Sequence, residues 1–440
     1  MKLLSSRFAK NVGILAGGTS VSQLLLILAS PVLTRLYTPE DFGILAIYIA
    51  IVSIIVVVSG LRYELAIPLP EDEIQAINLV VLAAFLVLLT SLLTALLLIV
   101  SGEHLVQILK IPEFYSYLWI IPIGILSIGA YQVFNYWAIR KKDFKRVSKT
   151  RIIQSIATLA IQFLTFKLSG LGLVIGNTAG QSFGVWSLSK DFIKKRLYLS
   201  ASKQGVLDCA NRYRNFPVFS TWSGFANVAG AQLPPLLFAA FYAPGIVGLY
   251  ALAHRVMGAP MSFIGQAIGN VFLSEAPDHY RKNTLAPFLL AVHKKLVYII
   301  LLPVLVLVAL GPGIFSFVFG EEWKDAGEAA RWLSLWMMMA FTTSPLSSIY
   351  EVTEQQSLGM VMQFQLLAAR CLGVMVGAMH GDFLFAVACF SISNVISYSL
   401  YLCVLYRIIG GNPLKILINY IPSFITILIF FLVPYIEILN

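Results

Sequence analysis

The chain has 440 residues, 58% of them hydrophobic and 12% charged, with a formal net charge of +10 and a mean hydropathy of +0.83. That balance excludes a soluble globular domain and describes an all-α polytopic membrane protein. The basic excess then reads as membrane topology and attraction to anionic lipid, not as nucleic acid binding.

A hydrocarbon core about 30 Å thick takes roughly 20 apolar residues in helix to cross. Such stretches predict thirteen spans, at 9–34, 41–66, 74–101, 115–139, 148–168, 170–190, 216–241, 245–274, 285–310, 328–350, 357–379, 382–407 and 414–436. The first follows Lys2 and Arg7 as a secretory signal would. It is too long for one and is interrupted by Gly17, Gly18, Thr19, Ser20, Ser22 and Gln23, so it is read as an uncleaved span. Within it Thr19, Gln23, Ser30 and Thr34 form a polar stripe. Arg35 is placed as an interfacial anchor, and Tyr37-x-Pro39-x-x-x-Gly43 forms the turn into span two. At the other end of that span stands Arg62, where snorkelling competes with a functional role.

Basic residues then cluster after span four (Arg140, Lys141, Lys142, Lys145, Arg146, Lys149, Arg151) and after span six (Lys190 to Arg214). The alternate segments hold only Arg35, Lys110, Lys167, Lys324 and Arg331, which predicts a cytoplasmic N-terminus. Span seven carries Ser220, Ser223 and Asn227 at helical spacing, and Tyr242-x-Pro244-x-x-x-Gly248 then repeats the earlier motif 205 residues on. An internal repeat at that offset predicts two six-helix lobes, 1–190 and 215–410, related by a pseudo-two-fold axis along the membrane normal. A basic linker, 191–214, joins them, and 411–440 supplies a thirteenth helix.

Span eight holds Arg255, in a run otherwise free of formal charge from Asn215 to Ser274. An ionised guanidinium at that depth costs at least about 2.5 kcal/mol on insertion scales, so it belongs where it faces water or a partner. Ser262, Gln266 and Asn270 share its helical face. Hydrogen bonding between neighbouring helices is the plainer account of any one hydroxyl or amide, and an arginine in the stripe favours a water-lined cavity between the lobes. His254 points to another face and is read as structural, while Lys294 and Lys295 are read as topology. The longest outer loop is placed at Gly311 to Ala326, and Arg370 stands mid-way along span eleven.

Every Asp and Glu lies in a loop or near a helix end, Asp41, Glu64, Glu351 and Asp382 coming closest to a span interior. Embedded arginines without embedded acids point to an anionic ligand, which guanidinium groups bind bidentately. No HExxH pattern, Gly-rich phosphate loop, GxSxG elbow or CxxC pair is present, so no catalytic, cofactor or metal site is expected. The competing functions are export of a small molecule, which a buried acid in the first lobe would favour, and membrane-embedded glycan polymerisation, which would call for carboxylates or long loops.

Arg35-Leu36-Tyr37-Thr38-Pro39-Glu40-Asp41-Phe42-Gly43 and Leu61-Arg62-Tyr63-Glu64-Leu65-Ala66-Ile67 resemble the Wzx-type oligosaccharide flippases of bacterial polysaccharide biosynthesis. These belong to a superfamily shared with multidrug extruders and the peptidoglycan precursor flippase. Ala253-His254-Arg255-Val256-Met257, with Pro260, resembles the eighth helix of the latter, whose arginine there lines a central cavity. The resemblance implies a V-shaped alternating-access transporter of the bacterial inner membrane that carries an undecaprenyl-diphosphate-linked oligosaccharide. Its implied partners are a polysaccharide polymerase and a chain-length regulator. On that basis the substrate-binding residues are expected to be Arg255, Arg370, Arg62, Gln266, Asn270, Asn227 and Gln23. A thirteenth helix departs from the family's twelve.

Overall fold

The computed structural model describes residues 6–108, 112–353 and 355–427, and among these the chain is helical with no strand. In order the helices are α1 (Ser6–Leu36), α2 (Pro39–Ser59), α3 (Glu73–Ile108), α4 (Ile120–Arg140), α5 (Phe144–Leu164), α6 (Gly170–Lys194) and α7 (Lys203–Arg212). There follow α8 (Thr221–Phe241), α9 (Pro244–Arg281), α10 (Leu285–Phe319), α11 (Lys324–Thr343), α12 (Ile349–Val352), α13 (Gln356–His380), α14 (Phe383–Ile408) and α15 (Pro413–Ile418). The long helices coincide in order with the first twelve predicted spans.

Seven described helices are long and apolar enough to cross a membrane by composition alone: α1, α2, α3, α8 with its preceding turn, α10, α13 and α14. The other long helices, α4, α5, α6, α9 and α11, carry more polar or charged residues. The exposed faces are apolar, with Ile99 of α3 82% and Phe317 of α10 85% exposed, as suits contact with lipid.

Two stretches differ from the expectation, and one lies partly outside the described residues. Span two ends at Ser59, followed by a turn in which Leu61 and Arg62 take the left-handed conformation and a short 3-10 segment, Tyr63–Ala66. The expected outer loop Gly311 to Ala326 is mostly helix, since α10 continues through Pro312 to Phe319. Gly311 lies so close to α11 that an added Cβ would stand 2.8 Å from the Gly327 carbonyl oxygen, and this close approach holds together a stretch whose composition breaks helices. Of the thirteenth span, helical residues run to 427 and the remainder lies outside the described residues.

The chain divides into two compact units, Met1–Gly248 and Leu249–Asn440. In lipid, helices associate by close packing and polar contacts because the surrounding tails are as apolar as leucine. The first unit shows this at α5–α6, where Gly176, Gly180 and Gly184 recur every four residues. A Cβ at each would overlap Gln162, Thr158 and Gln154, which recur every four residues on α5. The two repeat motifs also meet in this unit. Each opens a helix with its proline at the first position, where the missing N–H costs nothing. Gly43 packs on the Pro244 carbonyl and Gly248 on the Pro39 carbonyl, a reciprocal contact with no room for a Cβ on either side.

A second cluster sits where α3, α4, α6 and α7 converge, around Ile67, Val80, Trp137, Phe192 and Cys209. Arg140 ties this end together by donating to the carbonyls of Pro70, Glu71 and Asp72, and Lys141 pairs with Glu73 at 2.6 Å. In the second unit Asn419 Nδ2 donates to Nδ1 of the buried His293 at 3.3 Å, which places the ring proton on Nε2, 2.9 Å from the Tyr420 hydroxyl. Tyr420 in turn bonds Thr342, so the segment after α14 is anchored to both α10 and α11.

Candidate functional site

Arg255 lies eleven residues into α9, about 16 Å along the helix axis. It is partly buried. The side chains of Ser262, Gln266 and Asn270, expected on its face, lie outside the described residues. Arg370 stands fourteen residues into α13, about 21 Å from its start.

The environment of Arg370 follows from two glycines on its own helix. Gly373 and Gly377 form a G-x-x-x-G pair whose absent side chains admit Phe390 and Ala386 of α14. Arg370, one turn earlier on the same face, is thereby laid against α14. Its Nη2 donates to the Tyr398 hydroxyl at 3.0 Å, and its Nε donates to Asn394 Oδ1 at 3.4 Å. The guanidinium also lies 5.9 Å from the centroid of Trp336 on α11, on which His254 stacks at 5.5 Å. His254 therefore does pack structurally, and its ring joins α9, which carries Arg255, to the aromatic shelf under Arg370. Asn394 and Tyr398 were not singled out in the sequence, although Ser391, Asn394 and Tyr398 repeat at the helical spacing that marked the other stripes.

Arg62 belongs to the first unit. It projects from the left-handed turn after α2, 21% exposed, with Nη1 3.7 Å from Glu64 Oε1. Its guanidinium fills the niche over Gly224 of α8, which a Cβ would close. Asn227, one turn along α8, and Gln23 of α1 are both exposed. Other members of the polar stripes have been spent on packing. Arg151 of α5 bonds Thr19, Ser22 bonds Ser155, and Ser30 and Thr34 donate to carbonyls of their own helix.

The structure corrects one sequence inference outright, because Glu64 is 3% exposed and so is a buried acid in the first unit. Burial pushes its carboxyl above the usual range, against the opposing pull of Arg62. Glu64 Oε2 and Arg62 Nε are both buried without a hydrogen-bond partner. Asp41 is also buried, and it caps α2 by a reciprocal bond with Thr38. No group of three or more potential metal ligands occurs among the described residues.

A profile of the family described as polysaccharide biosynthesis protein matches residues 32–328. The chain belongs to this family. The match contains both stretches on which the flippase resemblance rests, and Arg255, while Arg370 lies beyond it. Among curated proteins, this polysaccharide biosynthesis protein is 22% identical over 393 residues to the succinoglycan biosynthesis transport protein ExoT of Rhizobium meliloti (strain 1021). That alignment covers 86% of the chain and 76% of the relative. It is 21% identical over 322 residues to the teichuronic acid biosynthesis protein TuaB of Bacillus subtilis (strain 168), covering 71% of the chain and 64% of that relative. Its fold is that of two solved transporters, each 14% identical. The lipid II flippase MurJ in an inward closed conformation superposes with a TM-score of 0.72 over 97% of this chain and 99% of that one. An inward-facing multidrug resistance MATE transporter of the MOP superfamily gives 0.70 over 90% and 93%.

Proposed function

We propose that this family member is a flippase that moves an undecaprenyl-diphosphate-linked oligosaccharide from the inner to the outer leaflet of the bacterial cytoplasmic membrane, with its N-terminus in the cytoplasm. One observation carries the proposal: two arginines, Arg255 and Arg370, stand inside long helices of a polysaccharide biosynthesis protein, where a depth near the middle of the membrane is expected. A permanent cation at that depth suits a diphosphate, whose oxygens a guanidinium receives in pairs. The names of the relatives, which concern succinoglycan biosynthesis transport and teichuronic acid biosynthesis, support the same substrate class.

In this mechanism of alternating access the diphosphate is held by Arg255 and Arg370, and the polyprenyl tail remains in lipid. Gln266, Asn270, Asn227 and Gln23 solvate the glycan, and Arg62 is an accessory cation at the far end of α2. The lobes are 1–190 and 215–410, joined by 191–214, with 411–440 as an added helix. Moving about two negative charges outward against an inside-negative potential of 100 mV gains roughly 4–5 kcal/mol, so the potential can assist.

The test is translocation of a defined lipid-linked glycan in proteoliposomes. Arg255→Ala and Arg370→Ala are each expected to slow it about tenfold or more, because a lost charge-assisted hydrogen bond is worth about 1.5–3 kcal/mol. Lysine at 370 should not restore the rate, since an ammonium lacks the planar fork. If both alanine variants, monodisperse and at wild-type yield, flipped glycolipid at the wild-type rate, the anion-holding role would have to be abandoned. Export of a small cation by the same fold is the alternative, and the buried Glu64 is the observation that favours it. Drug efflux that disappears in Glu64→Gln, with glycolipid flipping absent in the wild type, would decide for that alternative.

A further inference from the structure

The first unit carries a groove between α4 and α6 that the transport proposal does not use. Its volume is about 420 Å³, and it is bounded by Trp119 and Ile123 at the start of α4 and by Ile175, Ala179, Phe183 and Trp186 of α6. This is the size of cavity that buries small ligands. Trp119 and Trp186, at its two ends, are 57% and 68% exposed, so the groove opens on the apolar surface of the helices.

Its two hydroxyl residues are turned to internal duties. Thr178 donates to the Val174 carbonyl at 2.9 Å and shares a 2.6 Å bond with Tyr48, while Ser182 donates to the Thr178 carbonyl at 3.1 Å and pairs with Ser127 at 2.8 Å. What remains for a ligand is hydrocarbon and ring surface. From Ile175 to Trp186 the groove follows eleven residues of α6, about 16 Å. That is close to one leaflet's share, about 15 Å, of a bilayer's hydrocarbon core.

The groove also ends at a cation. Lys190, one turn beyond Trp186, is exposed and holds its ammonium 5.7 Å from the centroid of that ring. The neighbouring carboxylate, Asp191, is already paired with Arg146 of α5. A tryptophan beside a lysine at a helix end is the arrangement that marks the headgroup level.

We propose that this groove binds one acyl chain of an anionic phospholipid, its phosphate at Lys190 and its chain lying from Trp186 toward Trp119. The site selects by charge at one end and by length along the helix. It requires only that the chain spans a membrane, so it stands or falls separately from the flippase proposal.

Two measurements test it on the full-length protein. In native mass spectrometry from detergent, phosphatidylglycerol should be retained over phosphatidylcholine. Lys190→Ala should weaken that retention about fivefold, the effect of one basic residue near an anionic surface. Ala179→Phe, which fills the groove, should abolish the specific adduct. In vesicles containing brominated phosphatidylglycerol, tryptophan emission of the wild type should be quenched more than with brominated phosphatidylcholine. Trp119→Phe with Trp186→Phe should remove that difference, a result independent of whether Ala179→Phe folds. Equal quenching by both lipids, undiminished retention in a folded Ala179→Phe variant, or preferential retention of polyprenyl phosphate would each overturn the assignment.

Discussion

Arg62 and Glu64 illustrate how a single turn converts two exposed-looking charges into a half-buried arginine over a buried carboxyl. The left-handed backbone at Leu61 and Arg62 reverses the chain after α2 and drives the arginine into the space above Gly224, while Glu64 turns inward beneath it. Their separation of 3.7 Å is too long for a strong hydrogen bond, and each keeps a buried polar atom without one. Removing only one partner therefore leaves the other charge stranded. Arg62→Ala should cost about 1–3 kcal/mol of stability, and adding Glu64→Gln should return part of it, measured as thermal midpoints in detergent at fixed pH. Identical midpoints for the single and double variants would show that the pair is not coupled. Arg370 differs, because it donates to the neutral side chains of Asn394 and Tyr398, and its position follows from two glycines further along its own helix.

At the level of helices, glycine spacing governs which faces meet. The α5–α6 ladder, the α10–α11 approach and the α13–α14 seam each place a glycine where a neighbouring helix leaves no space for a Cβ. The reciprocal fit of Gly43 on Pro244 and Gly248 on Pro39 extends this to the repeated motif and gives the two copies a shared structural reason to keep their spacing. Gly43→Val should force α2 from the first turn of α9 and lower stability by about 1–3 kcal/mol, the usual cost of overpacking. Gly313→Ala, at a helical position with open space around it, should not lower the thermal midpoint. A loss in the control as large as that in Gly43→Val would trace both effects to backbone flexibility instead. The proline-containing turn Phe216–Ser220 before α8 shows the complementary device. Its π-type winding accommodates Pro217, and the Thr221 hydroxyl donates to the carbonyl of Phe216.

On the scale of the whole molecule, stability is distributed over two units that share glycine-mediated packing and differ in their polar ties. The first adds the basic end organised by Arg140. The second relies in part on a buried polar chain from Asn419 through His293 and Tyr420 to Thr342. Tyr420→Phe keeps the ring but leaves His293 and Thr342 without that hydroxyl, at an expected cost of about 1–3 kcal/mol. Hydrogen exchange should then quicken in α10 and α11 and remain unchanged in α5 and α6. Uniform quickening over both units would mean that they do not open separately.

Much of this was legible in the chain itself. Mean hydropathy, the lengths of apolar runs and the distribution of Lys and Arg are local quantities, and a bilayer fixes their meaning by requiring about 20 residues per crossing. They yielded the all-α class and the order of twelve long helices, with Arg255 and Arg370 inside two of them. What the sequence could not settle depended on which faces come together. Pro312 stays helical because Gly311 meets Gly327, Glu64 is buried because a left-handed turn folds it inward, and Arg370 reaches Tyr398 because Gly373 and Gly377 let α14 approach. Each outcome belongs to a contact between residues distant in sequence, which periodicity along one helix does not encode and only tertiary packing decides.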